Sequence, residues 1–107
     1  MGTYDTLVDR KSGLSCQVKI FHCALEIFYD GDKLPIKDFN LPRDFTIVLP
    51  KWEGCKFALV KKGRLFKLTN SIEETCSPYY SKWGHKLRLT IDTTPDAQER
   101  IVWEEED

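Results

Sequence analysis

Cys55-Lys56-Phe57-Ala58-Leu59-Val60-Lys61-Lys62-Gly63-Arg64-Leu65-Phe66-Lys67-Leu68-Thr69 is the stretch that decides how this chain is read. Two short apolar runs flank Lys61-Lys62-Gly63. Glycine takes positive φ at little steric cost, so Gly63 marks a β-hairpin with a short loop. Phe57 and Leu59 alternate on the first arm, Phe66 and Leu68 on the second. That period of two predicts strands with one buried face, so these four residues are expected in the core. The turn also helps to set the register of the sheet.

Working outward, Tyr4 to Val8 reads as a short strand and Asp9-Arg10-Lys11-Ser12-Gly13 as a polar turn. Leu14, Cys16, Val18 and Ile20 alternate with polar residues, the pattern of a half-buried strand. A single strand from Leu14 to Tyr29 would exceed the usual length, so a break is expected near Phe21-His22-Cys23. Residues Lys33 to Arg43, with Pro35 and Pro42, read as a surface loop anchored by Leu34, Ile36, Phe39 and Leu41. Phe45 to Leu49 is a strand ended by Pro50. Ser77-Pro78 has the form of a helix start, and Lys86 to Asp92 alternates with Leu87, Leu89 and Ile91 inward. Thr94-Pro95-Asp96 opens either a helix over Ala97 to Trp103 or, since acids follow it, a short edge strand from Arg100 to Glu104. These elements predict a mainly β fold (β or α+β), a small antiparallel barrel or sandwich of about six strands with at most one or two short helices. The 107 residues are expected to form one domain, with a mobile acidic tail over residues 104–107.

Composition narrows the classes further. Apolar residues make 41% and charged residues 31% of the chain, as in soluble globular proteins. No apolar run approaches a membrane span, and the start lacks the pattern of a secretory signal. The chain is therefore expected in the cytoplasm, away from membranes, with Cys16, Cys23, Cys55 and Cys76 reduced. On one straight strand Cys16 and Cys23 would lie about 23 Å apart on opposite faces. The cysteines read best as small buried apolar groups.

Charge is unevenly spread. Between Lys51 and Lys67 six basic residues stand against one acid, and between Asp92 and Asp107 seven acids stand against one base. Lys56, Lys61, Lys62, Arg64 and Lys67 are thus candidate contacts for a partner. Aromatic residues near them would let the hairpin bind nucleic acid, but strand parity leaves the lysines as an ordinary solvated face, so nucleic acid is the disfavoured partner. Tyr79, Tyr80 and Trp83 are a candidate aromatic patch. Joined with Lys82, His85 and Arg88, they form the alternative reading, a small-molecule or nucleotide pocket with slow hydrolytic activity. Phosphate-binding glycine motifs, His-Glu-x-x-His and Gly-x-Ser-x-Gly are absent from the sequence. No catalytic residue, metal ligand or cofactor is assigned. Cys55, Cys76 and His85 are scattered single residues with no ligand spacing.

Met1-Gly2-x-Tyr4-Asp5-Thr6, then Gln17-x-Lys19 and Cys23-x-Leu25, resembles a group of small uncharacterised phage and prophage proteins over roughly the first third of the chain. Some similar proteins carry Cys-Pro-x-Cys-Gly where this chain has Asp9 to Gly13, so no metal knuckle carries over. The resemblance implies no particular activity. It implies a binding protein of phage or mobile-element type acting in a bacterial cytoplasm. The leading reading is accordingly a non-enzymatic protein that works by protein–protein contact, as adaptor or inhibitor, or by self-association.

Overall fold

The computed structural model describes residues 3–92 and 100–106; the side chains of Ile91, Asp92, Arg100 and Ile101 lie outside that description. Among the described residues nine strands are formed: β1 (Asp5–Val8), β2 (Ser15–Val18), β3 (Ile27–Tyr29), β4 (Phe45–Val48), β5 (Phe57–Lys61), β6 (Arg64–Thr69), β7 (Tyr79–Ser81), β8 (Lys86–Asp92) and β9 (Arg100–Glu105). Two single turns of 3₁₀-helix lie at Lys37–Phe39 and Ile72–Glu74. The mainly β expectation is met, with three more strands than the alternation alone marks. The strands form a three-stranded sheet in the order β2-β1-β3 and a six-stranded sheet in the order β6-β5-β4-β7-β8-β9. Most neighbours are antiparallel, but β1 with β3 and β4 with β7 run parallel.

The hairpin forms where the sequence places it. Lys62 and Gly63 both take positive φ, as a two-residue turn matched to the twist of its strands requires. Across it, β5 lies with four consecutive buried residues, Phe57 to Val60, covered on both faces. The expected core position of Phe66 is not observed. Leu59 pairs with Lys67, and Val60 pairs with Leu65, so Phe66 is the extra residue of a β-bulge. A bulge resets the side-chain alternation. Leu65 and Leu68 turn inward, while Phe66 is 50% exposed with the Lys61 ammonium 4.4 Å from its ring centre.

One core lies between the sheets. It joins Leu7, Cys16, Val18, Ile20 and Phe21 to Phe45, Ile47, Ala58, Val60, Leu65 and Leu68. Leu34 and Ile36 are buried in it, and Phe39 and Leu41 pack against it, as anchors of the Lys33 to Arg43 loop. The turn after β3 seals the outer edge of β6: Gly31 N–H donates to the Leu65 carbonyl at 2.7 Å and Leu65 N–H to that of Asp32 at 3.0 Å.

Two buried carboxylates tie the first sheet together. Asp5 accepts the N–H groups of Cys23 (3.0 Å), Ala24 (2.9 Å) and Glu26 (3.1 Å). These bonds hold the break between β2 and β3, where Cys23 and Leu25 take positive φ. Asp9 accepts from Lys11 and Ser12 N–H in its own turn and from Leu68 N–H of β6 at 3.1 Å. Burial pushes the Asp9 carboxyl up, but the Leu68, Ser12 and Lys11 hydrogen bonds outweigh it and hold it below its ordinary value. A lowered folded-state value stabilises the protein above the ordinary carboxylate range near ~4, and that stability is lost as pH falls through the lowered value. The melting temperature is therefore expected to fall on acidification from about pH 6 to pH 3, and less steeply in Asp9→Asn. Parallel melting curves of the two proteins against pH would check this, and identical slopes would contradict it.

The C-terminal part departs from expectation at Ser77-Pro78 and at Leu89, and decides between the two alternatives from Arg100. Ser77-Pro78 starts no helix; its peptide bond is cis and it leads into β7. The stretch from Arg100 is the edge strand of the two alternatives, while residues 93–99 lie outside the described residues. Leu89, expected inward, is 39% exposed, whereas Leu87 is buried; the side chain of Ile91 lies outside the description. Leu89→Ala is therefore expected to cost about 1 kcal/mol or less, against the several expected of a buried leucine. Chemical denaturation of this variant beside Leu68→Ala would check the difference.

Candidate functional site

Trp52 and Trp83 are more than thirty residues apart in sequence, yet they flank one ammonium group. The Lys82 Nζ lies 5.9 Å from the centre of the Trp52 ring and 5.7 Å from that of Trp83. Lys82 is only 6% exposed, and Nζ donates to Glu53 Oε2 at 2.9 Å. Both side chains of this ion pair are nearly out of solvent. The other Glu53 oxygen accepts Gln17 N–H at 3.2 Å, and Lys19 N–H donates to the Lys82 carbonyl at 2.6 Å. The pair thus ties β2 to both tryptophan-bearing segments. Trp52 is 74% exposed and Trp83 48%.

Each tryptophan stands on a defined turn. A Cβ on Gly54 would lie 3.0 Å from the Ser15 carbonyl oxygen, so only glycine lets the segment after Trp52 run this close to β2. Trp83 sits in the turn between β7 and β8. The Ser81 hydroxyl accepts N–H bonds from Trp83 (3.3 Å) and His85 (3.1 Å), and Gly84 closes the turn with φ of 91°. Both aromatic rings are therefore presented from hydrogen-bonded backbone.

Of the residues expected to form an aromatic and cationic pocket, Trp83 and Lys82 come together, and Tyr79, Tyr80, His85 and Arg88 are dispersed. Tyr79 and Tyr80 are consecutive in β7 and face opposite sides. Tyr79 packs against Trp103, with ring centres 4.7 Å apart, and bonds Thr75 Oγ1 through its hydroxyl. Tyr80 packs edge-on to Phe45 in the core. His85 contacts Glu105 at 2.9 Å, and Arg88 contacts Glu104 at 3.0 Å. Glu104 and Glu105 end β9, and Glu106 N–H donates to the Lys86 carbonyl, so these three acids of the expected free tail pair along β8, while Asp107 lies outside the described residues. They do not lie on the basic hairpin. On that hairpin Lys56, Lys61, Lys62 and Arg64 are exposed, and Lys67 pairs with Glu74.

The cysteines separate as well. Cys16 and Cys55 are buried together, and contact with Cys55, reinforced by burial, pushes the Cys16 thiol well above its ordinary range. Such a thiol is unreactive. Cys76 lies instead against Thr46, whose hydroxyl donates to the Cys76 carbonyl at 2.7 Å. His85 is with Glu105, so Cys55, Cys76 and His85 do not meet.

The second surface feature is a cleft of about 700 Å³ at one end of β4 and β5. Leu49, Phe57, Ile72 and Trp103 give it an apolar lining, with Lys51 and Lys56 at its border. Among the described residues no helix is long and apolar enough to cross a membrane.

Fold and surface together define a mainly β protein of two packed sheets that carries an exposed tryptophan pair over a buried ion pair. Comparison with protein-family models, with curated proteins and with solved structures finds no significant match to this chain.

Proposed function

We propose that this chain is a non-enzymatic binding protein that acts by protein–protein contact through the surface of Trp52 and Trp83. The exposure of these two rings, whose centres lie 5.9 and 5.7 Å from the Lys82 ammonium, carries the reading. Tryptophan is enriched among the residues that dominate binding energy at interfaces. Rings held by hydrogen-bonded turns lose little freedom on binding, which lowers the cost of association. The resemblance of the N-terminal third to phage and prophage proteins supports an adaptor or inhibitor acting on a bacterial host protein; self-association is the other form of contact it allows.

The test is retention of proteins from a bacterial lysate, with sedimentation of the isolated protein beside it. Wild type is expected either to retain a defined protein or to self-associate, and Trp52→Ala/Trp83→Ala to lose that contact while keeping its melting temperature. A wild-type protein that is strictly monomeric and retains nothing would overturn the reading.

The 700 Å³ cleft supports a second reading, a small-molecule site, since its size falls within the range of ligand pockets. Thermal-shift measurements with nucleotides and other small aromatics at millimolar concentration address it. An increase in melting temperature that is abolished in Phe57→Ser would favour it, and no increase with any compound would remove it.

A further inference from the structure

We infer that the cleft between the β5–β6 turn and the Lys33 to Arg43 loop is a site for a small, multiply charged phosphate ligand. The cleft holds about 510 Å³ and is lined by Lys33, Lys37, Arg43 and Lys62 over a floor that includes Leu34 and Ile36. Four cations thus border one concave space.

The fold brings these cations together from three stretches. Leu34 N–H donates to the Gly63 carbonyl and Gly63 N–H to that of Arg43, both at 2.9 Å, so the turn is clasped by both ends of the loop. Gly63 is itself packed down: a Cβ there would lie 3.1 Å from Ile36 Cδ1. The backbone beneath the cations is therefore fixed.

The cations are also uncommitted. Among the described residues none of the four takes part in an ion pair, as is also true of Lys51, Lys56, Lys61 and Arg64 outside the cleft; what sets the four apart is that they border one concave space. Two acids stand near. Asp38 lines the cleft but contacts His22 Nε2 at 2.9 Å, and Asp44 accepts Lys62 N–H at 2.8 Å. Four cations against these two carboxylates leave the cleft positive. A positive concave site concentrates anions, and charge-assisted bonds to phosphate oxygens are the strong ones. Like-charged side chains are otherwise kept apart by repulsion, so their convergence on one cleft is what a polyvalent anion would offset. A cleft of about 510 Å³ suits a compact phosphate better than an extended strand, whose backbone would need a groove leading onward.

Calorimetric titration of the full chain with tripolyphosphate at low salt, about 50 mM, is the test. Saturable binding at one site is expected. Arg43→Gln/Lys62→Gln is expected to weaken it by roughly tenfold or more. Lys51→Gln/Lys56→Gln removes the same charge outside the cleft and should change it by less than about twofold. Chemical-shift changes in wild type, expected at residues 33–38, 43 and 62–63, keep the test sound if a variant misfolds. Absence of saturable binding would overturn the inference, and so would equal weakening in both double variants. Binding of a single-stranded oligonucleotide without binding of tripolyphosphate would also overturn it, since the cations would then serve an extended strand.

Discussion

Asp5→Ala is expected to destabilise the protein by about 3–5 kcal/mol, among the largest effects of any single substitution in the first sheet. The carboxylate is fully buried and serves three backbone donors, those of Cys23, Ala24 and Glu26. Truncation leaves these donors facing a cavity, at about 1–3 kcal/mol for each that stays unsatisfied. It also frees Cys23 and Leu25, whose positive φ values are costly for residues with a side chain. Asp5→Asn keeps one acceptor oxygen and should recover part of the loss. Urea denaturation of both variants measures the effect, and a cost below about 1 kcal/mol for Asp5→Ala would contradict it.

Lys82→Met should have a comparable effect, about 3–5 kcal/mol, because it leaves the Glu53 carboxylate nearly buried and unpaired. The signature of that cause lies in the double variant. Lys82→Met/Glu53→Gln removes both charges, keeps an acceptor for Gln17 N–H, and should regain much of the stability. The tryptophan fluorescence should change in both variants, since the ammonium near both rings is gone. A double variant as unstable as Lys82→Met would show instead that the lost packing of the lysine stem outweighs the unpaired charge.

The central hairpin was legible in the sequence because its signals are local. Gly63 at the turn and alternating residues on both arms fall within fifteen positions, and the break near Cys23 follows from strand length alone. Phe66 was not legible: nothing in Arg64-Leu65-Phe66-Lys67 marks which residue a bulge will turn out. Ser77-Pro78 failed for a related reason, since a serine before a proline opens a helix or a strand equally well on local grounds.

The candidate site was harder still. Trp83 stood out beside Lys82, but Trp52 and Glu53 reach them only through the parallel pairing of β4 with β7, which sets Val48 beside Ser81. Likewise the basic run Lys51 to Lys67 was visible, while Lys33, Lys37 and Arg43 join it only through the clasp on Gly63. Two N-terminal contacts were equally out of reach of local signals. Tyr4-Asp5 and Cys23-x-Leu25 are bonded to each other, through Cys23 N–H to Asp5 and Leu25 N–H to the Tyr4 carbonyl. The Asp9 carboxylate closes its own turn and pins it to β6.

Hydrogen exchange of the protein free and bound to whatever it retains, or to its own copy, tests the tryptophan surface most directly. Slowed exchange is expected in residues 50–55 and 81–85, the two segments that carry Trp52 and Trp83. Protection confined to the acidic β8–β9 edge or to the basic hairpin, with those two segments unchanged, would contradict it.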